Sequence, residues 1–106
     1  MVETYTPDCD YDMKAHEFEL LNVNNEIYSL ESCQGGKATL VMFICNHCPY
    51  VQSILDQLAV EASVMQKKGI GCVAINSNDY NAYPDDSFEN MQRISKKYGF
   101  SFPYLI

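Results

Sequence analysis

Residues 39–51 of the chain read TLVMFICNHCPYV, and they carry the clearest signal of strand, motif and helix in the sequence. Its first part, Thr39–Ile44, is a continuous apolar run of strand-forming residue types, which is typical of a central strand buried on both faces. From about Tyr50 the apolar residues adopt helical spacing. Cys45 and Cys48 therefore fall between a predicted strand and a predicted helix, and we expect both thiols at the start of that helix.

The predicted helix carries one apolar stripe and ends near two lysines. Residues three and four apart form the stripe: Val51, Ile54, Leu55, Leu58, Ala62 and Met65. Lys67 and Lys68 suit the negative end of a helix, and Gly69 can close it. Pro49 is tolerated in the first turn because its missing N–H costs little there.

A thiol at a helix N-terminus is the group that we expect to react. Unpaired backbone N–H groups and the positive dipole end stabilise a thiolate there. Cys45 is therefore the candidate nucleophile, with a lowered pKa, and Cys48 is the candidate resolving thiol. His47 lies between them and can add positive charge or donate a hydrogen bond to the Cys45 sulfur. Two buried cysteines with a surface histidine, or a metal site built from these residues, are the alternatives.

Composition and charge restrict the class of protein. A chain of 106 residues that is 47% hydrophobic predicts a single domain over 1–106, with an irregular lead-in over 1–15. The net charge of −7 argues against nucleic acid or an anionic membrane surface as a partner. No basic segment followed by an apolar one opens the chain, and no stretch approaches the length of a membrane span. The sequence thus predicts a cytoplasmic protein without a membrane partner.

The chain contains five cysteines. In a reducing compartment they indicate one functional pair and several bystanders rather than a disulfide framework. The bystanders are Cys9, Cys33 and Cys72. Of these, Cys72 lies within an apolar strand candidate, so we expect it in the core.

Two further elements are predicted around the motif. Phe18–Val23 and Glu26–Leu30 predict a β-hairpin, because Asn24-Asn25 between them tolerates the positive φ of a tight turn. Gly71–Asn76 predicts a second strand. A helix separates it from the first strand, so the two are expected to be parallel neighbours in a right-handed βαβ unit.

A last helix and an apolar run follow the second strand. Asp86 with Glu89 three residues later resembles a capping box, and Gly99 marks the end of the helix that it opens. The residues expected to face inward are Phe88, Met91, Ile94 and Tyr98. Phe100–Ile106 has the pattern of the first half of a strand, and we expect a domain that is incomplete at its C-terminal end.

The order of these elements resembles the thioredoxin-like fold: hairpin, strand, C-x-x-C, helix, strand, helix, and an X-Pro before a further strand. In particular it is similar to redoxins of the alkyl hydroperoxide reductase and thiol-specific antioxidant (AhpC/TSA) type. The residues that carry the resemblance are Leu40–Val51, Ala74–Asp79 and Phe102–Tyr104. The resemblance covers the chain from about Glu17 onward. It implies an α/β fold with a central sheet, flanking helices and an N-terminal β-hairpin, here without the strand pair and helix with which family members end.

The resemblance also implies that Cys45 is the nucleophile and Cys48 the resolving thiol. His47, from its place between them, is the third candidate catalytic residue, and no cofactor is expected. The implied substrate-binding residues are Asn46, Pro49, Phe102 and Pro103.

The resemblance bears on two further positions, Pro103 and Thr39. Pro103 looks like the cis-proline that packs beside the dithiol, whereas a trans proline that starts an edge strand is the alternative. Thr39 stands where thioredoxins commonly carry a buried acid that moves a proton to the resolving thiol. Water, His47 or an acid elsewhere in the chain would have to replace that acid.

The predicted function is that of a thiol-disulfide oxidoreductase, which acts on protein or small-molecule disulfides and is recharged by a thiol reductant. A thiol peroxidase is less favoured, because Met42 stands where peroxiredoxins usually place a threonine before the peroxidatic cysteine. A thiol-based metal-handling module is a third hypothesis. The fourth is a non-catalytic module that forms a homo-oligomer by pairing through an exposed sheet edge.

Overall fold

The computed structural model describes residues 12–46, 48–78 and 81–106. Cys9 and His47 therefore lie outside the described residues, as does the expected lead-in up to residue 11. The elements run in the order β1 (Glu19–Leu21), β2 (Ile27–Ser29), α1 (Leu30–Cys33), β3 (Ala38–Phe43), α2 (Pro49–Gln52), α3 (Leu55–Lys67), β4 (Ile70–Ile75), a 3₁₀ turn (Pro84–Asp86), α4 (Phe88–Tyr98) and β5 (Tyr104–Leu105). Of the helices in these ranges, none has the length and apolar character needed to pass through a lipid bilayer.

The predicted hairpin is confirmed, with shorter strands. β1 and β2 pair antiparallel, and the turn between them includes Asn25 at a φ of 69°. That angle lies in the left-handed region, which asparagine tolerates better than most residues. The hairpin also contacts the far end of the chain, because Ile106 N–H donates to Leu21 C=O at 2.9 Å.

The larger sheet has the order β3-β4-β5 within the described part of the chain, and its strands are parallel. The predicted parallel pairing of the first two strands is thus confirmed. The expectation that β3 is the central strand, buried on both faces, is wrong. β4 holds the middle position, and Phe43 of β3 is 71% exposed. Among the described residues β3 has a neighbouring strand on one side, and such a strand leaves more of its side chains open to solvent.

The helix predicted after the motif is divided into two segments. α2 contains four residues, with Pro49 at its first position, and α3 begins only after Ser53 and Ile54. The apolar stripe is correspondingly uneven. Leu55 and Ala62 are buried, whereas Ile54 at the break is 48% exposed.

Two apolar clusters cover the two faces of the larger sheet. One contains Ala62, Cys72, Ala74, Met91, Phe102 and Tyr104, and the other contains Cys33, Val73, Ile75 and Leu105. Residues of β4 therefore alternate between the clusters, as a strand with period two requires. Cys72 lies in the core as expected, and Cys33 is buried as well.

The start of α4 differs from the prediction. Its N-cap is Ser87, whose hydroxyl accepts from the Asn90 N–H at 3.3 Å, and not Asp86. Asp86 instead ends the preceding 3₁₀ turn, with its side chain buried. The predicted end of α4 is confirmed, because Gly99 caps it with a φ of 66°.

We expect Ser87→Ala to lower the free energy of unfolding by about 1 kcal/mol, since it leaves an N–H at the start of α4 without its cap. Urea denaturation measures this difference. Ser87→Thr keeps a hydroxyl at the cap and serves as the control, which should lose much less. Equal losses in the two variants would show that the cap does not stabilise α4.

Candidate active site

The two cysteines of the motif come together where β3 leads into α2. The pairing of β3 continues one residue beyond the strand, with Ile44 N–H donating to Ile75 C=O at 3.1 Å. Cys45 follows and is partly exposed, whereas Cys48 at the N-cap of α2 is buried. The backbone N–H of Cys48 donates to the Cys45 sulfur, and the two sulfurs are not joined in a disulfide.

The expected lowering of the Cys45 pKa is wrong. The pKa of this thiol is raised, chiefly by burial, and the nearby Asp86 carboxylate and Cys48 sulfur raise it further. The hydrogen bond from the Cys48 backbone acts in the opposite direction but does not prevail. The helix contributes little, because α2 has four residues and starts with Pro49, which lacks an N–H. A short segment that ends at Gln52 provides only a small dipole.

Asn46, between the two cysteines, is held inside the protein. It is 5% exposed, and its backbone N–H donates to the Asp86 carboxylate. Its side-chain amide donates to Asp85 C=O at 2.9 Å, and its Oδ1 accepts from the Tyr104 hydroxyl at 2.8 Å. Its own carbonyl accepts from the Gln52 side chain at 2.7 Å. Asn46 thus ties the dithiol segment to three other parts of the fold.

Asp86 is the centre of a buried polar cluster. Its side chain is fully buried, and it accepts from Asn76 Nδ2 at 3.0 Å and from Asn78 Nδ2 at 3.2 Å, besides the Asn46 N–H. Asn76 and Asn78 directly follow β4, at the same edge of the sheet as the motif. We call Asp86, Asn46, Asn76 and Asn78 the Asp86 cluster.

Asp86 was predicted to open a capping box, and the cluster was not predicted. The capping-box pattern was a sufficient local explanation for an acid just before a helix. A signal was nevertheless present. Polar residues Asn76 and Asn78 follow a strand at the carboxyl edge of a parallel sheet, which is where sites form in such folds.

Tyr104 is a second residue of the site that the sequence did not single out. It is fully buried in β5, and burial is the main reason why the pKa of its hydroxyl is raised. The charges of Asp86 and Cys45 act in the same direction, whereas a hydrogen bond with Asn76 opposes them. The hydroxyl therefore stays protonated at neutral pH and can serve as the donor to Asn46.

Pro103 does not have the cis geometry that the resemblance implied. The described residues contain no cis peptide bond, so the bond before Pro103 is trans. Its carbonyl accepts from Ala74 N–H at 2.9 Å, and the chain continues directly into β5. This is the alternative of a trans proline at the start of a strand, which is the less costly isomer.

The remaining predicted substrate-binding residues differ in exposure. Phe102 is 4% exposed and stacks on Phe100 with ring centroids 4.6 Å apart. Asn46 is also turned inward, so the structure shows neither side chain in a position to meet a substrate directly. Pro49 is exposed, and Tyr50 beside it is 74% exposed.

Thr39 lies far from the thiols. Its hydroxyl accepts from Gly35 N–H at 3.0 Å near the start of β3. Six residues of extended chain, about 20 Å, separate it from Cys45.

Among the described residues, no group of three or more histidine, cysteine, aspartate or glutamate side chains is arranged to hold a metal ion.

Two solved structures share both sequence and fold with this chain. An uncharacterized conserved protein from Geobacillus kaustophilus is 44% identical with a TM-score of 0.85, over 88% of this chain and 50% of that one. A hypothetical protein from Sinorhizobium meliloti is 35% identical with a TM-score of 0.88, over 93% of this chain and 54% of that one. The chain thus spans about half the length of these two proteins.

A more distant structure shows the fold alone. It is a secreted disulfide oxidoreductase of Mycobacterium tuberculosis, 18% identical with a TM-score of 0.64, over 83% of this chain and 58% of that one.

No curated protein matches the chain. The AhpC/TSA family matches residues 12–106. With nearly its whole length matched and its strands and helices in thioredoxin-like order, the chain belongs to the AhpC/TSA family.

Proposed function

We propose that this protein is a thiol-disulfide oxidoreductase in which Cys45 is the nucleophile and Cys48 the resolving thiol. The observation that carries the proposal is the contact between Cys45 and Cys48 at the end of β3. Family membership and the fold shared with a disulfide oxidoreductase support redox chemistry of this general kind.

The difference in burial favours this division of roles. Cys45 is partly exposed and can meet a substrate. Cys48 is 8% exposed and can reach only the Cys45 sulfur of a mixed disulfide. A mixed disulfide on Cys45 would therefore form first and be resolved from inside the protein.

The proposed reaction transfers two electrons to the substrate. The Cys45 thiolate attacks one sulfur of the substrate disulfide, whose S–S bond breaks as the mixed disulfide forms, and the released sulfur takes up a proton. The Cys48 thiolate then attacks the Cys45 sulfur. This step forms the Cys45–Cys48 disulfide and releases the second substrate sulfur as a thiol. An external thiol reductant restores the dithiol by the reverse exchange.

Other parts of the proposal concern the surroundings of the thiols. His47 would stabilise the Cys45 thiolate by its charge or by a hydrogen bond, and Pro49 would contribute to the surface that meets the substrate. The proposed substrates are protein or small-molecule disulfides in the cytoplasm.

A comparison of two substrates tests the function. We expect the protein to reduce insulin disulfides in the presence of dithiothreitol and to consume hydrogen peroxide no faster than Cys45→Ser does. Rapid peroxide consumption that depends on Cys45, with no insulin reduction, would instead assign a thiol peroxidase. In that case Cys45 would become a sulfenic acid, and Cys48 would condense with it.

A further inference from the structure

The Asp86 cluster connects the reactive segment to the sheet. Asn46 lies in sequence between the two cysteines, and its backbone N–H is bound by the Asp86 carboxylate. The same oxygen of Asp86 also accepts from Asn76, at the end of β4. One buried carboxylate therefore links the dithiol segment to the end of β4, the middle strand of the larger sheet.

The donors around Asp86 favour its ionised form. Its two oxygens face N–H groups of Asn46, Asn76 and Asn78, and carboxylates are stabilised by several such donors. The side chain is fully buried, where a charge acts over a longer range than in water. A buried negative charge is thus held beside the dithiol.

Three titratable groups surround the Cys45 sulfur among the described residues: Cys48, Asp86 and Tyr104. The Tyr104 hydroxyl is neutral at neutral pH, and Cys48 acts on Cys45 through both its backbone and its sulfur. Asp86 is the carboxylate of this set. Its charge opposes the formation of a thiolate at Cys45.

We infer that Asp86 is a positioning residue of the dithiol: it holds Asn46, and with it the Cys45–Cys48 segment, against the end of β4, and it places a buried carboxylate beside the two sulfurs. This inference rests on the proposed function for its biological meaning. In this role Asp86 slows the reaction of Cys45 with oxidants other than its substrate. It also makes the dithiol more strongly reducing, because a less stabilised thiolate favours the disulfide form.

The test is Asp86→Asn, read by the pH dependence of iodoacetamide alkylation at Cys45, followed by tandem mass spectrometry on the reduced protein. The new amide keeps an oxygen for the Asn46 and Asn76 donors, and the Asn78 amide can rotate to accept from its nitrogen. Without the negative charge, the pKa of Cys45 should fall. We expect alkylation at pH 7 to become about three- to tenfold faster.

The matched control is Glu89→Gln. It removes an exposed carboxylate three residues further along and should leave the alkylation profile unchanged. In a second variant, Asp86→Asn is combined with Asn78→Asp. This returns a negative charge to the cluster, with the amide now at position 86 and the carboxylate at position 78. The double variant should restore slow alkylation, and it provides the test if the single variant folds poorly.

An unchanged profile in folded Asp86→Asn would overturn the inference, as would an equal change in Glu89→Gln. A wild-type profile that showed Cys45 ionising more readily than free cysteine would overturn it without any variant. Alkylation needs no disulfide substrate, so the two proposals fail separately. A protein that reduces no insulin but shows the Asp86→Asn shift loses the oxidoreductase function and keeps this inference.

Discussion

Cys45→Ser is expected to reduce the rate of insulin reduction by more than about a thousandfold, because a serine hydroxyl supplies no nucleophile comparable to a thiolate at neutral pH. Cys48→Ser should lose turnover as well, but for a different reason. Its Cys45 thiol can still attack a disulfide, yet the thiol that resolves the product has been removed. We therefore expect a stable mixed disulfide to accumulate in Cys48→Ser and to be absent in Cys45→Ser.

Non-reducing mass spectrometry after exposure to a disulfide such as oxidised glutathione measures this difference. Cys72→Ala is the control, since Cys72 is 2% exposed in the core and should keep nearly full turnover once the protein is folded. An adduct on Cys48 in the Cys45→Ser variant, with turnover intact, would reverse the proposed roles of the two thiols.

The second large effect is expected at a crossing of two backbone segments. A Cβ on Gly71 would lie within 3.0 Å of the Cys33 carbonyl oxygen and the Gly35 amide nitrogen, both of which belong to the backbone. Backbone atoms cannot turn away as a flexible side chain can. Gly71→Ala would therefore push the start of β4 away from the segment that follows α1, and we expect a loss of about 3 to 5 kcal/mol of stability.

Gly36→Ala is a closely matched control. Apart from Gly36 itself and its two chain neighbours, no heavy atom of the described residues lies within 4 Å of the position that its Cβ would take, and its backbone does not have a positive φ. Its stability should be unchanged or slightly higher, because alanine restricts the unfolded chain. Urea denaturation of both variants measures the two changes in the free energy of unfolding. A Gly71→Ala protein as stable as Gly36→Ala would show that the two segments can separate at little cost.

The features that could be predicted from the sequence depend on neighbours along the chain. Apolar spacing located the strand and the helix around the motif, and Asn25 and Gly99 marked a turn and a helix end through their own backbone preferences. The parallel pairing of β3 and β4 followed from the helix between them. In each case, a few adjacent residues carry the signal.

The features that were missed depend on contacts between distant residues. The hydrogen bond between Asn46 and Asp86 joins positions 40 residues apart, so the local pattern around either residue does not identify its partner. The sign of the Cys45 pKa shift was missed for the same reason. Spacing indicated a helix start, but burial and a carboxylate from another loop determine how readily the thiol ionises.

Long-range closure also has a consequence for how the protein reaches its native state. Tyr104 N–H donates to the Asn22 side chain at 2.9 Å across 82 residues of sequence, and the Tyr104 hydroxyl then reaches Asn46. Contacts of high sequence separation form late, because the entropy of closing so large a loop must first be offset. The dithiol of a newly made chain would thus acquire its native environment only in the final stage of folding, and until then both sulfurs would behave as ordinary accessible thiols.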